Sequence, residues 1–253
     1  MVQRRLMLKG LASAAAALAL PGAAAGQGAP VIKLPGDVST REAATILAVR
    51  TPSPVVALTF DDGPHPTLTP ILLDLLAARG MFATFYVVGD WVRRHPGLVA
   101  RMLHEGHEIG NHSWSHPVLA RLSDGGLLRE LDDTTRAVYE VTGKVPVTMR
   151  PPYGAMTSRQ RALVHGSRKL PTILWSVDPQ DWRRPGPQIV TRRILGAARP
   201  GAIILAHDIH SSTIRAMPAT LDGLSARGLR TVTISQLLGW PRWQTRNFRL
   251  NGV

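Results

Sequence analysis

Short apolar runs alternate with amphipathic stretches from residue 55 of this 253-residue chain onward. Short continuous apolar runs are typical of buried strands, whereas apolar positions three and four residues apart are typical of helices. This pattern predicts strands at residues 55–60, 83–88, 108–110, 172–177, 202–206 and 230–234. It predicts helices at residues 68–76, 98–104, 123–142, 189–198 and 213–227.

Alternation of apolar strands and helices indicates a parallel sheet covered by helices, which is an α/β fold. About six or seven such units in one domain favour a closed barrel of about seven strands over an open sheet. We place this domain at residues 55–240, after a Gly- and Pro-rich tether at 26–54 with a weak helical stretch at 42–49. The tail at 241–253 follows, and Trp240, Trp243 and Phe248 are predicted to pack against the barrel.

The first 25 residues have the pattern of an export signal. Arg4, Arg5 and Lys9 precede an apolar stretch at 11–20, and three alanines at 23–25 form a small-residue cleavage site. The apolar stretch is too short for a bilayer, which takes about 20 residues. The arginine pair also resembles the twin-arginine export signal. We therefore predict an exported protein, periplasmic or extracellular, with no integral membrane segment in its mature form.

Charge and composition narrow the function classes. The formal net charge is +13 at pH 7, and the predicted export signal carries three of these charges, which leaves +10. The arginines are scattered and lie in no nucleic-acid recognition motif, so we expect no nucleic-acid partner. Outside the cytoplasm such a basic surface suits anionic envelope polymers better than DNA, and a solvated surface rich in arginine is the equally good alternative. Because the chain has no cysteine, any metal must be held by His, Asp or Glu.

Titratable side chains collect where the apolar runs end. The clusters are Asp61-Asp62-Gly63-Pro64, Asn111-His112, Arg150-Pro151-Pro152-Tyr153-Gly154, Asp178 with Asp181-Trp182, and His207-Asp208. In a parallel barrel the carboxyl ends of the strands meet at one mouth, where active sites lie. The sequence therefore predicts one site at this mouth.

Three of these clustered residues form a candidate metal site. His112 and His116 are four residues apart, so on a helical turn their imidazoles face the same side. Two histidines and one carboxylate give the three-ligand pattern of catalytic zinc, which leaves one coordination position open. Asp61 and Asp62 are adjacent, so one can bind the metal while the other serves as a base.

The clusters belong to five motifs that follow one another in a fixed order. They read TFDDGP at 59–64, HSWSH at 112–116, RPPYG at 150–154, DPQDW at 178–182 and LAHD at 205–208. These motifs resemble those of the polysaccharide deacetylases, the NodB-homology or family 4 carbohydrate esterase group. The resemblance spans residues 55–238 and implies a distorted (β/α) barrel similar to the TIM barrel.

The resemblance also implies how the metal side of the site would work. Asp62, His112 and His116 would bind the metal, usually Zn²⁺ in this family, although such a site also accepts Co²⁺, Ni²⁺ or Mn²⁺. Asp61 would be the general base, and Arg150 would pair with it and keep it ionised.

The remaining motif residues would serve proton donation and substrate binding. By the same resemblance, His207 would protonate the leaving amine, and Asp181 would orient the His207 ring. Substrate contacts would come from the backbone N–H of Tyr153 and from Pro151, Trp182 and Leu205.

The implied activity is removal of N-acetyl groups from a polysaccharide that contains N-acetylhexosamine, with release of acetate. The substrate would be an acetylated glycan, and the sequence leaves peptidoglycan, chitin-like polymers and poly-N-acetylglucosamine open. The alternative is a deacetylase on the same scaffold that acts on O-acetyl esters such as acetylxylan, or a cyclic-amide hydrolase.

Overall fold

The structure is a computed structural model that describes residues 45–243. The predicted export signal, most of the predicted tether and Phe248 lie outside the described residues. In the described part of the chain, no helix combines the length and the apolar character that a membrane crossing requires.

Strands and helices alternate along most of the chain, as the apolar pattern predicts. The strands are β1 (Thr45–Ile46), β2 (Val55–Asp61), β3 (Thr84–Val87), β4 (Glu108–Asn111), β5 (Thr172–Ile173), β6 (Ile203–His207) and β7 (Arg230–Val232). The helices are α1 (Leu68–Ala77), α2 (Gly89–Arg94), α3 (Pro96–His104), α4 (Asp124–Thr142), α5 (Ser158–Arg168), α6 (Pro187–Ala197), α7 (Ser211–Ala226) and α8 (Ile234–Leu238).

Strand β2 is the centre of the main sheet, in which the order is β4-β3-β2-β6 and every pair is parallel. One edge of β2 pairs with β6 over residues 57–61. The other edge is divided, because β7 pairs with residues 55–57 and β3 pairs with residues 59–61. This division distorts the barrel at the amino ends of the strands.

Short bridges connect the main sheet with the β1–β5 pair. Met149 bridges to Asn111 at the end of β4 and to Thr172 in β5, and Val177 bridges to Ile204 in β6. These bridges complete a ring of parallel strands, so the predicted distorted α/β barrel is confirmed.

The structure differs from the sequence expectations at both members of the β1–β5 pair. Residues 45–46 form a strand that pairs with β5, so the helical prediction for this stretch is wrong. Of the strand predicted at 172–177, only the first two residues form a strand, β5. Beyond them the chain changes partners, because Leu174 N–H donates to the Ile46 carbonyl whereas Ser176 and Val177 N–H both donate to the Ile203 carbonyl.

The two faces of β2 pack against different apolar clusters, although all of its residues are buried. Val56, Leu58 and Phe60 join the cluster that contains the apolar side chains of the surrounding helices. Val55 and Ala57 join the cluster that contains Ile173 and Ile203 of the other strands. Because side chains alternate along a strand, Thr59 and Asp61 share the inner face with Val55 and Ala57.

The C-terminal aromatic residues pack as predicted where the structure describes them. Trp240 packs against the cluster that contains Val55 and Ala57. Trp243 packs against the cluster that contains Leu58 and Phe60.

Candidate active site

The predicted site residues lie together at the carboxyl ends of the strands. Asp61 ends β2 and His207 ends β6, and the two residues pair directly across the sheet. Asn111 ends β4, and Arg150 follows the Met149 bridge beside it. The parallel sheet therefore brings the motifs to one mouth.

Asp62, His112 and His116 converge on one point. The Asp62 Oδ1 atom lies 3.0 Å from His116 Nε2 and 3.3 Å from His112 Nε2. One possible ligand atom from each residue lies within 4.8 Å of the other two. Burial would raise the pKa of the Asp62 carboxyl, but the two imidazoles beside it hold that pKa well below its usual range.

This donor set fits a divalent cation of the zinc type. Asp62 Oδ1 is buried and accepts no hydrogen bond from the described residues. The Nδ1 atom of His112 lies 2.7 Å from the Arg150 carbonyl oxygen, which can only accept, so Nδ1 carries the proton. The lone pair of His112 is therefore on Nε2, the atom that faces Asp62. One carboxylate oxygen and two imidazole nitrogens are ligands that zinc prefers.

The two histidines converge through a turn, not through the predicted helical turn, so that expectation is wrong. Ser113 and His116 are in the left-handed region, with φ of 68° and 60°, and Asp62 opposite them has a φ of 76°. Such residues cost on the order of 1 kcal/mol each and persist where surrounding structure holds them.

Glu130, in α4, is the main support of this turn. Its Oε2 atom accepts hydrogen bonds of 2.8 Å from the backbone N–H groups of Trp114 and Ser115, and Oε1 accepts one from the Ser115 hydroxyl. Asn111 Oδ1 accepts a further bond from Ser113 N–H. The sequence analysis missed Glu130, because a glutamate on an amphipathic helix carries no motif signal.

Asp61 is held by a wholly buried arginine. Arg150 Nη1 lies 2.7 Å from Asp61 Oδ1 and also donates to the Thr59 hydroxyl. Arg150 Nε and Nη2 donate to the backbone carbonyls of Ile173 and Leu174. The Asp61 Oδ2 atom is 3.8 Å from His112 Nε2, so this oxygen faces the metal ligands. Arg150 thus fixes one oxygen of Asp61 and leaves the other at the site.

His207 is oriented by Asp181, which is fully buried. Its Nδ1 atom lies 2.8 Å from Asp181 Oδ1, while Asp181 Oδ2 accepts from the His207 backbone N–H and from the Thr213 hydroxyl. Burial would lower the pKa of His207, but the hydrogen bond and charge of Asp181, with the charges of Asp61 and Asp62, raise it to about 9. The imidazole is therefore protonated at neutral pH, and its Nδ1 atom is engaged by Asp181.

The predicted substrate contacts differ in exposure. Tyr153 is 67% exposed, has a φ of 60° and packs its ring against His116 with the centroids 4.7 Å apart. Trp182 is 48% exposed, whereas Pro151 and Leu205 are buried. Leu205 precedes His207 by two residues in β6, so both side chains lie on the same face of the strand.

Asp208 explains the glycine of the Asp-Asp-Gly motif. Its carboxyl group is fully buried and accepts a hydrogen bond from the Thr69 hydroxyl of α1. A Cβ atom at Gly63 would overlap this carboxyl group. Burial raises the pKa of Asp208 to about 7. Gly63 is therefore required by a close approach of the chain and not by its backbone angles.

A cleft opens beside the metal-ligand residues. Its volume is about 570 Å³, and Asp62 and His116 form part of its wall. The other wall residues are Val88, Asp90, Trp91, Arg94, Trp114, Ser115 and Ile209. The cleft therefore borders two of the three converging residues, Asp62 and His116.

Known proteins resemble this chain in sequence. The family profile described as polysaccharide deacetylase matches residues 48–166. A peptidoglycan-N-acetylglucosamine deacetylase of Listeria monocytogenes, PgdA, is 46% identical over 184 residues, which are 73% of this chain and 39% of that protein. The chain thus matches about two fifths of that relative's length. A chitooligosaccharide deacetylase of Bradyrhizobium is 38% identical over 198 residues, covering 72% of this chain and 90% of that protein.

A solved structure shows the same relationship in three dimensions. The peptidoglycan deacetylase PdaC from Bacillus subtilis superposes with a TM-score of 0.70 and 39% sequence identity. The match covers 75% of this chain and 92% of that structure.

Proposed function

The chain belongs to the polysaccharide deacetylase family, and from this premise we propose that it hydrolyses N-acetyl groups of a polysaccharide containing N-acetylhexosamine. The products are acetate and a free amino sugar. The observation that carries the proposal is the convergence of Asp62, His112 and His116 on one point, with Asp61 beside them. The names of the relatives, which include peptidoglycan and chitooligosaccharide deacetylases, support this substrate class.

Asp62, His112 and His116 would hold one divalent cation, and we propose Zn²⁺ as that cation. When bound, such a cation polarises the acetyl carbonyl and acidifies the attacking water. Asp61 accepts the proton of that water through Oδ2, the oxygen that Arg150 leaves free. The ion pair with Arg150 fixes the direction from which Asp61 acts.

His207 completes the reaction as the general acid. Amide hydrolysis needs a proton on the leaving nitrogen, because an amine leaves poorly as an anion. His207 is protonated below a pH of about 9, and its Nδ1 is engaged with Asp181, so Nε2 delivers the proton. Water and the amide thereby become acetate and an amine without an external reactant.

Tyr153, Pro151, Trp182 and Leu205 would contact the substrate. We propose that the backbone N–H of Tyr153 donates to the oxyanion that forms at the attacked carbonyl, as in an oxyanion hole. Leu205 and Trp182 would form the apolar wall for the acetyl methyl group. A wall of this kind favours acetyl over longer acyl groups.

We further propose that the protein acts outside the cytoplasm, in the periplasm or extracellular space. The support is the export-signal pattern of residues 1–25, including Arg4 and Arg5. A net positive charge suits contact with anionic envelope polymers.

Acetate release from a panel of polymers tests the proposal. The mature protein is incubated with chitohexaose, peptidoglycan, poly-N-acetylglucosamine and acetylxylan, first after chelation and then with zinc restored. Zinc-dependent acetate from an amino-sugar polymer supports the proposal and identifies the substrate. Release from acetylxylan alone would move the enzyme to O-acetyl esters, and no release with zinc bound would refute the substrate class.

A further inference from the structure

A basic aromatic surface lies beside His207, and its two arginines have no role in the proposed chemistry. It consists of Trp182, Arg183 and Arg184, which we call the arginine shelf, and all three side chains are exposed. The residue before them, Asp181, is fully buried and orients His207. The shelf therefore stands next to the proton donor at the mouth.

The turn that carries the shelf is fixed in position. Gln180 and Arg184, at its two ends, are both left-handed with φ of 53° and 54°. Gln180 N–H donates to the Asp178 carboxylate at 2.7 Å, and Arg184 N–H donates to the Asp181 carbonyl at 2.8 Å. Arg193 in α6 donates to the Pro179 carbonyl. A turn braced in this way presents its side chains in one arrangement, which lowers the entropic cost of binding.

The two arginines of the shelf form no salt bridge with a carboxylate of residues 45–243. Arginines elsewhere on the surface, such as Arg79 and Arg159, do pair with aspartates. The Arg183 guanidinium lies over the Trp182 ring, 4.7 Å from its centroid. Both guanidinium groups therefore have hydrogen-bond donors free for an anion.

The shelf acts electrostatically on a histidine near His207. The ring of His210 is 5.8 Å from the ring of His207. Burial lowers the pKa of His210, and the charge of Arg184 is among the influences that add to this effect. Arg184 therefore influences His210, whose ring lies beside that of His207.

We propose that the arginine shelf binds a carboxylate of the substrate, on the sugar next to the one that loses its acetyl group. The inference rests on the proposed function. A guanidinium matches a carboxylate with two parallel hydrogen bonds, and an indole face suits the C–H face of a sugar ring. A glycan in which N-acetylglucosamine alternates with a lactyl-bearing sugar has this chemistry where the lactyl carboxyl is free, as in peptidoglycan strands without stem peptides, whereas neutral chitin-like oligomers lack it.

The test compares carboxylated and neutral glycans of equal length. The zinc-loaded Asp61→Asn protein, which should turn over too slowly to interfere, is titrated by calorimetry with three glycans. These are peptidoglycan strands stripped of stem peptides, the same strands amidated at the lactyl group, and chitooligosaccharides. The variant pair is Arg183→Gln with Arg184→Gln, and the matched control is Arg192→Gln, an exposed arginine of α6. Acetate release by the same arginine variants with Asp61 intact accompanies the titrations.

The double variant should bind carboxylated strands about tenfold more weakly, since exposed charge pairs each contribute a modest amount. Its binding of amidated strands and chitooligosaccharides should be unchanged, and high salt should remove the difference. The control should behave as the parent protein. An unchanged affinity for carboxylated strands, or an equal loss on all three glycans, would overturn the proposal. Failure of the proposed function would appear differently, as no acetate release by the wild-type protein. The binding titrations test carboxylate binding by the shelf whether or not acetate is released.

Discussion

Two sides of the mouth are built in different ways: one carries Asp62, His112 and His116, the proposed metal ligands, and the other carries His207, the proposed proton donor. On the first side, the turns that carry Asp62, His112 and His116 contain left-handed residues, and the turn between the two histidines is also held by a carboxylate from α4, Glu130. On the second side, His207 is the last residue of an ordinary strand, and Asp181 holds both its ring and its backbone. The turn that carries His112 and His116 therefore depends on a carboxylate from a separate helix, whereas His207 depends on its own strand and on Asp181.

Both sides use a buried carboxylate beside a cation, but for opposite purposes. Arg150 orients Asp61 and leaves one of its oxygens free to receive a proton. Asp181 bonds His207 and raises the pKa of its imidazole, which under the proposed mechanism donates a proton. The partner in each pair thus determines whether the reactive group is a base or an acid.

Substitution of Asp61 should have the largest effect on activity, and it distinguishes the proposed base from the proposed metal ligands. The Asp61→Asn variant should lose acetate release by a factor on the order of 10³, because the general base is gone. Its zinc content should equal that of the parent, since Asp62, His112 and His116 are intact. Metal analysis and acetate release on the same sample check this, and His116→Ala is the comparison that should lose zinc and activity together. Loss of zinc from Asp61→Asn would contradict the assignment of roles.

A second substitution breaks the donor side alone. His207→Ala should slow amide hydrolysis by about a hundredfold or more but spare activated aryl acetates, whose leaving groups need little protonation. Steady-state rates on both substrate types measure this selectivity. Equal losses on amide and ester would show that His207 is not the general acid.

The support of the ligand turn gives a smaller effect. Glu130→Ala should weaken zinc binding by roughly tenfold, as loss of a residue behind a metal ligand does, while kcat at saturating zinc stays close to the parent value. Competition with a zinc chelator measures the affinity. Glu140→Ala, an exposed glutamate of the same helix, is the matched control and should change neither quantity. A lower kcat with normal zinc affinity would show that Glu130 does not support the metal site.

The smallest effect concerns the pH range of the donor side. In the chelated protein the His207 imidazole should titrate near pH 9, and Asp181→Asn should move its pKa towards the ordinary value near 6.5. Because folding raises this pKa, the coupling stabilises the fold fully below about pH 6.5 and is lost as the pH rises through about 9. Histidine NMR and unfolding titrations between these values test the sign. A His207 pKa that is the same in both proteins would contradict the coupling.

The sequence predicted the barrel and the site because both depend on local patterns. Apolar runs such as residues 55–60 mark strands buried on both faces, and the polar residues that end them fall at one mouth. The turn that brings His112 and His116 together was not predictable, since it depends on Glu130, which contacts it from a separate helix. Strand β1 was missed for a similar reason, because only its pairing with β5 makes two residues a strand.

Zinc titration of the chelated wild-type protein tests whether acetate release requires one bound ion. The measured quantity is the rate of acetate release from an N-acetylated glycan that the protein accepts, as zinc is added in fractions of an equivalent. No release is expected without zinc, and the rate should then rise linearly and level off at one zinc per chain, because residues 45–243 contain one cluster of three residues that could hold the ion. Release that persists after chelation, or that is indifferent to added zinc, would contradict this expectation.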